Sequence, residues 1–250
     1  MNYAVFAVTA ISLMLALPNA VHARQRGPGG PPPTGRAGAA MDATGTWVPL
    51  ITEDWRLRMV TPQKGDYESV PLNPAGRRAA DGWDPAKDEA AGEQCRSYGA
   101  PAIMRVPGRV RISWDNDNTL KVETEAGTQT RLFHFGITPP PAGQAAWQGH
   151  SVASWDEIAG GRGENRRGTL KVVTTRIRPG YLRKNGVPYS ANTVLTEWYD
   201  RISTPNGDQW LIVTTEVVDP QYLNQPFITS THFKKLPDGS TFTPEPCSAR

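Results

Sequence analysis

Between Arg109 and Glu125, apolar and charged side chains alternate strictly on both sides of a short polar turn, a pattern that few folds accommodate. Val110, Ile112 and Trp114 alternate with Arg109, Arg111 and Ser113. After Asn116-Asp117-Asn118, Leu120, Val122 and Thr124 alternate with Lys121, Glu123 and Glu125. A period of two is that of a half-buried strand. A three-residue loop pairs Trp114 with Leu120, Ile112 with Val122, Arg111 with Glu123 and Arg109 with Glu125. All the apolar groups then share one face and opposite charges meet on the other. A two-residue loop would scramble both faces.

A second hairpin is predicted around Thr204-Pro205-Asn206-Gly207, which suits a type I turn with Pro second and Gly in the left-handed position. Leu195, Glu197, Tyr199 and Arg201 then oppose Val217, Thr215, Val213 and Leu211, while Trp198 meets Thr214 and Ile202 meets Trp210. Both faces carry large apolar groups, so cover is expected on both sides. Further strands are expected at Trp47–Leu50, Trp55–Val60, Thr130–Phe135, His150–Trp155, Thr169–Ile177 and Phe227–Lys235. In Trp55–Val60 the alternation is Trp55, Leu57 and Met59 against Arg56 and Arg58. Asp84-Pro85 reads as an N-cap with Pro at the first helical position, opening a helix that Gly92 ends. Strands joined by short turns without intervening helices predict an all-β fold. The expectation is a single antiparallel barrel or strongly bent sheet, lipocalin-like, with a short helical insertion near 74–92.

Three regions divide the chain. Ala4–Leu17 is apolar apart from Thr9 and Ser12, Pro18 breaks it, and Val21-His22-Ala23 suits signal peptidase. Residues 1–23 are therefore expected to be a signal peptide, although the segment before the apolar run lacks Lys and Arg. Residues 24–43 read as a disordered Pro/Gly-rich linker, and 44–250 as one barrel-like domain. The localisation implied is periplasmic or secreted, with no integral membrane segment after cleavage. Cys95 and Cys247 then form one disulfide, closing a loop of ~150 residues. A net charge of +3, with basic and acidic residues interspersed, predicts no nucleic-acid partner. Oligomeric state is not legible.

Few residues suggest chemistry. His134, His150 and His232 fall on separate strands without metal-ligand spacing, so neither metal nor cofactor is expected. His150 and Ser151 point to opposite faces of a strand and cannot form a nucleophile–base pair. Glu197 stands in an otherwise apolar row between Leu195 and Tyr199, with Arg201 beyond. A carboxylate turned inward is either an ion-paired structural group or a ligand anchor. Eight tryptophans, among them Trp147 and Trp155, suit either core or a cavity lining.

Trp147-Gln148-Gly149-His150-Ser151, followed by Trp155 and then Leu170–Thr175, resembles a segment of an uncharacterised family of exported bacterial β-proteins. Thr196-Glu197-Trp198-Tyr199, Asp219-Pro220 through Pro226-Phe227, and Cys95, Gly99, Pro101 and Met104 extend the similarity over roughly 95–235. The chain differs in its enlarged 156–168 loop and in Trp198, where that strand usually carries Arg. The resemblance implies an exported all-β fold and no particular activity. Gly45-Thr46-Trp47 is also similar to the opening of lipocalin-like barrels.

The functional expectation is a module for a small hydrophobic or amphipathic ligand, with His150, Glu197, Tyr199, Arg201, Trp147 and Trp155 as candidate contacts. The alternatives are an acid/base enzyme (lyase, isomerase or hydrolase) using Glu197 and a histidine, or a structural or accessory envelope protein.

Overall fold

The computed structural model describes residues 34–136, 138–157 and 168–250. The expected signal peptide, linker residues 24–33 and most of the basic loop lie outside the described residues. In chain order the elements are β1 (Gly45–Leu50), α1 (Trp55–Met59), α2 (Pro74–Asp81), α3 (Pro85–Ala90), a 3-10 turn (Gln94–Tyr98) and α4 (Ala100–Ile103). Then follow β2 (Val110–Asn116), β3 (Thr119–Thr124), β4 (Gln129–Phe135), β5 (His150–Glu157), β6 (Gly168–Thr175), β7 (Gly180–Arg183) and β8 (Val187–Tyr189). β9 (Val194–Ser203), β10 (Gln209–Val218) and β11 (Phe227–Lys235) complete the chain. No described helix is long and apolar enough to cross a membrane.

Nine strands close a barrel in the order β1-β11-β10-β9-β6-β5-β4-β3-β2, and β7-β8 form a separate hairpin. An odd ring cannot alternate direction all the way round, so one neighbouring pair must be parallel. That pair is β4–β5, with Phe133 opposite Ser151. The chain makes the crossover that parallel pairing needs through residues 136–149. The fold is thus the expected all-β barrel with a helical insertion, corrected from purely antiparallel to mixed.

Both predicted hairpins have the predicted partners. In β2–β3, Trp114 faces Leu120 and Ile112 faces Val122, but Asn116 already pairs with Thr119. The connection is therefore a two-residue turn, and a bulge at Asp115 preserves the faces that such a turn would otherwise scramble. In β9–β10 every expected pair from Leu195–Val217 to Ile202–Trp210 is present, and Gly207 has φ 86° at the turn. The outer face is less covered than expected: Ile202 is 45% exposed and Trp198 half-buried.

Trp55–Met59 is a helix, not a strand. Five alternating residues are compatible with either period, and tertiary contacts decide. Arg58 is buried while Trp55 and Met59, four apart on one helical face, are 61% and 57% exposed. α2 and α3 start as their sequences dictate. Asn73 accepts from the Gly76 amide ahead of Pro74, and Asp84 from the Ala86 amide ahead of Pro85.

Both barrel ends are closed. Part of the stretch read as disordered linker, residues 34–43, is ordered and covers one end. The Gly35 amide donates to Asn118 Oδ1, Arg36 N to the Asp117 carbonyl, and Ala40 and Ala43 are buried. Small residues allow this close approach, since a Cβ on Gly35 would sit 2.4 Å from the Phe135 ring. At the other end Leu195, Val217 and Phe227 pack with Leu72, Leu182 and Tyr189 from the inserted segments. Between the ends Val122, Phe133, Val172, Tyr199, Leu211 and Val213 have no accessible surface, so side chains fill the space around them.

Candidate functional site

Glu197 points inward as expected, at the centre of the barrel. Its partner, which sequence reasoning missed, is Arg131 on β4. Nη1 and Nη2 of Arg131 donate to the two carboxylate oxygens at 2.9 and 2.5 Å, and neither side chain has exposed surface. The Tyr199 hydroxyl donates to Glu197 Oε1 at 3.1 Å, Arg131 Nη2 lies 3.4 Å from Thr174 Oγ1, and Ser151 Oγ is 2.8 Å from that hydroxyl. Arg131 also stands 4.9 Å above the Phe133 ring. Burial, the largest influence, would weaken the guanidinium's hold on its proton, but the Glu197 charge, Tyr199 and the hydrogen bonds to both together offset it and raise the pKa. Burial, then the same carboxylate, pushes the Tyr199 phenol well above its ordinary value. Arg131 occupies the same apolar row as Phe133, the signal that singled out Glu197. The group is a buried bidentate ion pair inside filled core.

The other candidates lie elsewhere. His150, His134 and His232 all sit on the outer side of the wall, because their inward neighbours are Ser151, Phe133 and Phe233. His150 Nε2 is 3.0 Å from the Thr138 carbonyl oxygen, and its ring stacks on His134 at 5.5 Å. Burial, then His150, holds the His134 pKa below the ordinary value. No described histidine therefore shares a face with Glu197. Arg201 donates to the Asp42 carbonyl and Trp155 Nε1 to the Gly35 carbonyl, both at the end covered by residues 34–43. Trp147 lies under the Arg178 guanidinium, 4.2 Å from ring to cation. The six expected contacts are thus divided among core, covered end and outer wall. No group of three or more metal-ligating side chains occurs among the described residues.

A different cluster combines burial, charge and open space. Arg58 of α1, Arg105 ahead of β2 and Arg183 of β7 are each over nine-tenths buried, and all line one small cavity of about 40 Å³. It adjoins a larger cleft of about 230 Å³ that shares Leu57, Arg58, Val106, Pro107 and Lys184 and continues to Tyr98 and Pro246. Arg58 pairs with Glu53 and donates Nε to the Arg105 carbonyl at 3.0 Å. Arg105 Nη2 reaches Asp54 at 2.8 Å. Arg183 donates to the Glu68 carbonyl and to Ser69 Oγ at 2.7 and 2.9 Å. Arg58 Nη2 and Arg183 Nε are buried without a protein partner among the described residues.

Burial and then the Arg105 charge depress the Arg58 pKa, and the same two causes lower that of Arg183 to about 10. Carboxylates flank the cluster: Glu53 pairs with Arg58 and Asp54 with Arg105, and Asp54, Asp66 and Glu68 act on Arg183 from farther off. The smaller cavity has room for about three water-sized groups, and a phosphate or carboxylate matches guanidinium geometry. The far wall belongs to the C-terminal tail, which the Cys95–Cys247 disulfide anchors, with its Cα atoms 5.1 Å apart. The Ser248 amide donates to the Tyr98 hydroxyl, and the Thr128 hydroxyl to the Glu245 carbonyl. Sequence reading missed this site because its cations come from three segments far apart in the chain: α1, the residues ahead of β2, and β7. The one available signal was Arg58, in a strongly basic and apolar hexapeptide. No protein-family model matches the chain, and neither a curated protein nor a solved structure matches it.

Proposed function

We propose that this is an exported binding module that holds a small amphipathic ligand by its anionic head in the arginine-lined cleft. The observation that carries the reading is that Arg58 and Arg183, each with one buried guanidinium nitrogen lacking a protein partner among the described residues, line a single cavity together with Arg105. A buried donor without an acceptor costs ~1–3 kcal/mol, and more when charged, so an entering anion relieves a standing penalty. Leu57, Val106, Pro107 and Pro62 provide apolar walls for the remainder of the ligand. The disulfide suits an oxidising compartment and supports export. The ordered motifs around Trp147–Trp155 support kinship with exported β-proteins. For an acid/base enzyme the geometry is unfavourable, since Glu197 is sealed inside and each described histidine faces out.

The test is thermal unfolding with octyl phosphate, inorganic phosphate or chloride at matched ionic strength. Octyl phosphate is expected to stabilise the wild type by about 2.7 kcal/mol at a hundred times its dissociation constant. Arg58→Gln and Lys184→Gln should weaken that effect. Stabilisation no greater than with chloride would remove the proposal.

A further inference from the structure

Ser230 and His232 lie two apart on β11, so both side chains stand on one face, the outer wall of the barrel. Ser230 Oγ is 3.4 Å from His232 Nε2. On the other side of the ring, Nδ1 lies 3.8 Å from Glu53 Oε2. Glu53 comes from the bend between β1 and α1, and both of its oxygens are held: Thr52 Oγ1 donates to Oε2 at 2.9 Å and Arg58 pairs with Oε1. A hydroxyl at Nε2 and a carboxylate at Nδ1 are the parts and the polarity of a nucleophilic relay. The carboxylate favours the tautomer with its proton on Nδ1, which leaves Nε2 to take the serine proton. Both spacings are long, and catalytic contacts of this kind tighten when substrate binds.

The neighbouring strands supply the remaining parts. Thr214 is paired directly opposite Ser230. Such a pair has its Cβ atoms about 5 Å apart, which brings the Thr214 hydroxyl within reach of an oxyanion formed on Ser230. Ile212 and Leu50 flank His232 on its two sides, and Ile228, 62% exposed, precedes Ser230 on the same face. These apolar groups offer a rest for an acyl chain. The His232 side chain is 39% exposed, so a substrate reaches the pair directly from solvent. We infer that the outer wall carries a second site, separate from the arginine-lined cleft, at which Ser230 cleaves small apolar esters with His232 as base and Glu53 positioning the ring. The Ser230 oxygen adds to the ester carbonyl carbon as its proton passes to His232 Nε2. The bond to the alcohol oxygen then breaks, the imidazolium returns the proton to that oxygen, and an acyl-serine remains. Water, deprotonated by the same imidazole, releases the carboxylic acid and restores the hydroxyl.

The experiment treats the full chain with a fluorophosphonate and, separately, with p-nitrophenyl butyrate, locating the phosphonyl group by peptide mass spectrometry. Labelling is expected at Ser230, at least about tenfold faster than at the exposed Ser248, together with turnover of the ester. Ser230→Ala should abolish both, and His232→Gln should slow both about a hundredfold, the lower end of what a general base contributes. Thr214→Val should slow ester cleavage at least about tenfold. Glu53→Gln should slow labelling about tenfold and Glu53→Asp less, because the charge orients the ring. Ser230→Ala lies outside the cleft and should leave the octyl phosphate response unchanged. Label spread evenly over exposed serines, or turnover undiminished in Ser230→Ala or His232→Gln, overturns the inference. The position of the label on the wild type decides the matter even if a variant fails to fold.

Discussion

Removing either half of the central ion pair should destabilise the barrel, and the two losses should differ in their dependence on pH. In Glu197→Gln the Arg131 guanidinium remains wholly buried with no counter-charge. Because it cannot shed its proton at any ordinary pH, the cost of about 3–5 kcal/mol expected for a broken buried pair persists throughout. In Arg131→Met the orphan is a carboxyl, which escapes by taking up a proton. At pH 7 this costs about 1.36 kcal/mol per pH unit above the ordinary glutamate value of ~4.3, or about 3.7 kcal/mol, and at pH 5 only about 1 kcal/mol. Above pH ~4.3 the folded variant then holds a proton that its unfolded chain lacks, so its stability falls as pH rises. Urea unfolding at pH 5 and pH 7, each variant against wild type, should show the Arg131→Met penalty shrinking by about 2.7 kcal/mol at the lower pH. The Glu197→Gln penalty should hardly change. Equal penalties for Arg131→Met at the two pH values, or a loss below about 1 kcal/mol at pH 7 in either variant, would refute the reasoning.

Reducing the Cys95–Cys247 bond, whose partners are 152 residues apart, should lower stability by up to about 5 kcal/mol on the chain-entropy account. An unchanged urea midpoint in reductant would contradict that. Gly35→Ala places a methyl group against the Phe135 ring and should cost about 1–3 kcal/mol. Near-ultraviolet circular dichroism should change as Trp155 loses its bond to the Gly35 carbonyl, and an unaltered spectrum would show that residues 34–43 do not seal the barrel. With the His134 pKa depressed by burial and His150, the unfolded chain takes up the proton first as pH falls. The associated stability is present above pH ~6.5 and lost below it. His134→Gln should flatten the melting-temperature profile between pH 7.5 and 5, and an unchanged slope would assign the loss to other groups.

Alternation made the regular part of the fold legible. Arg109–Glu125 and Leu195–Val217 carry enough consecutive period-two positions that only one register satisfies both faces, and the structure has those registers. Alternation does not decide the element where the run is short. Trp55–Val60 offers too few positions to distinguish periods, and the buried contacts of Arg58 override its local pattern. Nor does alternation reveal where small residues gain order from their surroundings, as at Gly35 and Ala40, whose composition resembles a linker but whose size fits a barrel mouth. Glu197 was legible as a polar interruption of an apolar row. Arg131 interrupts its own row in the same way, but the pairing that brings β4 opposite β9 across the interior has no local trace.

A filled interior leaves a ligand no room inside the barrel. A nine-stranded wall encloses enough space for a ligand only if its inward side chains are small or few. Here Arg131, Phe133, Tyr199 and Trp47 meet across it without exposed surface, and an ion pair held from two sides resists any displacement that would open a chamber. The barrel instead fixes three chain ends at one rim: the exit of β1 leading to α1, the entry to β2, and Gln129 at the start of β4 beside the disulfide. Arg58 and Arg105 project from the first two, and the tail bonded at Cys247 closes the third side. Glu53 and Asp54 offset part of the repulsion between Arg58 and Arg105, and the support keeps the arginines close with two donors unmet. Relaxing that support by reduction should therefore loosen the cleft before it opens the barrel, so the octyl phosphate response should decline at lower urea concentrations than tryptophan emission does. Simultaneous loss of both signals would show that cleft and barrel form one cooperative unit.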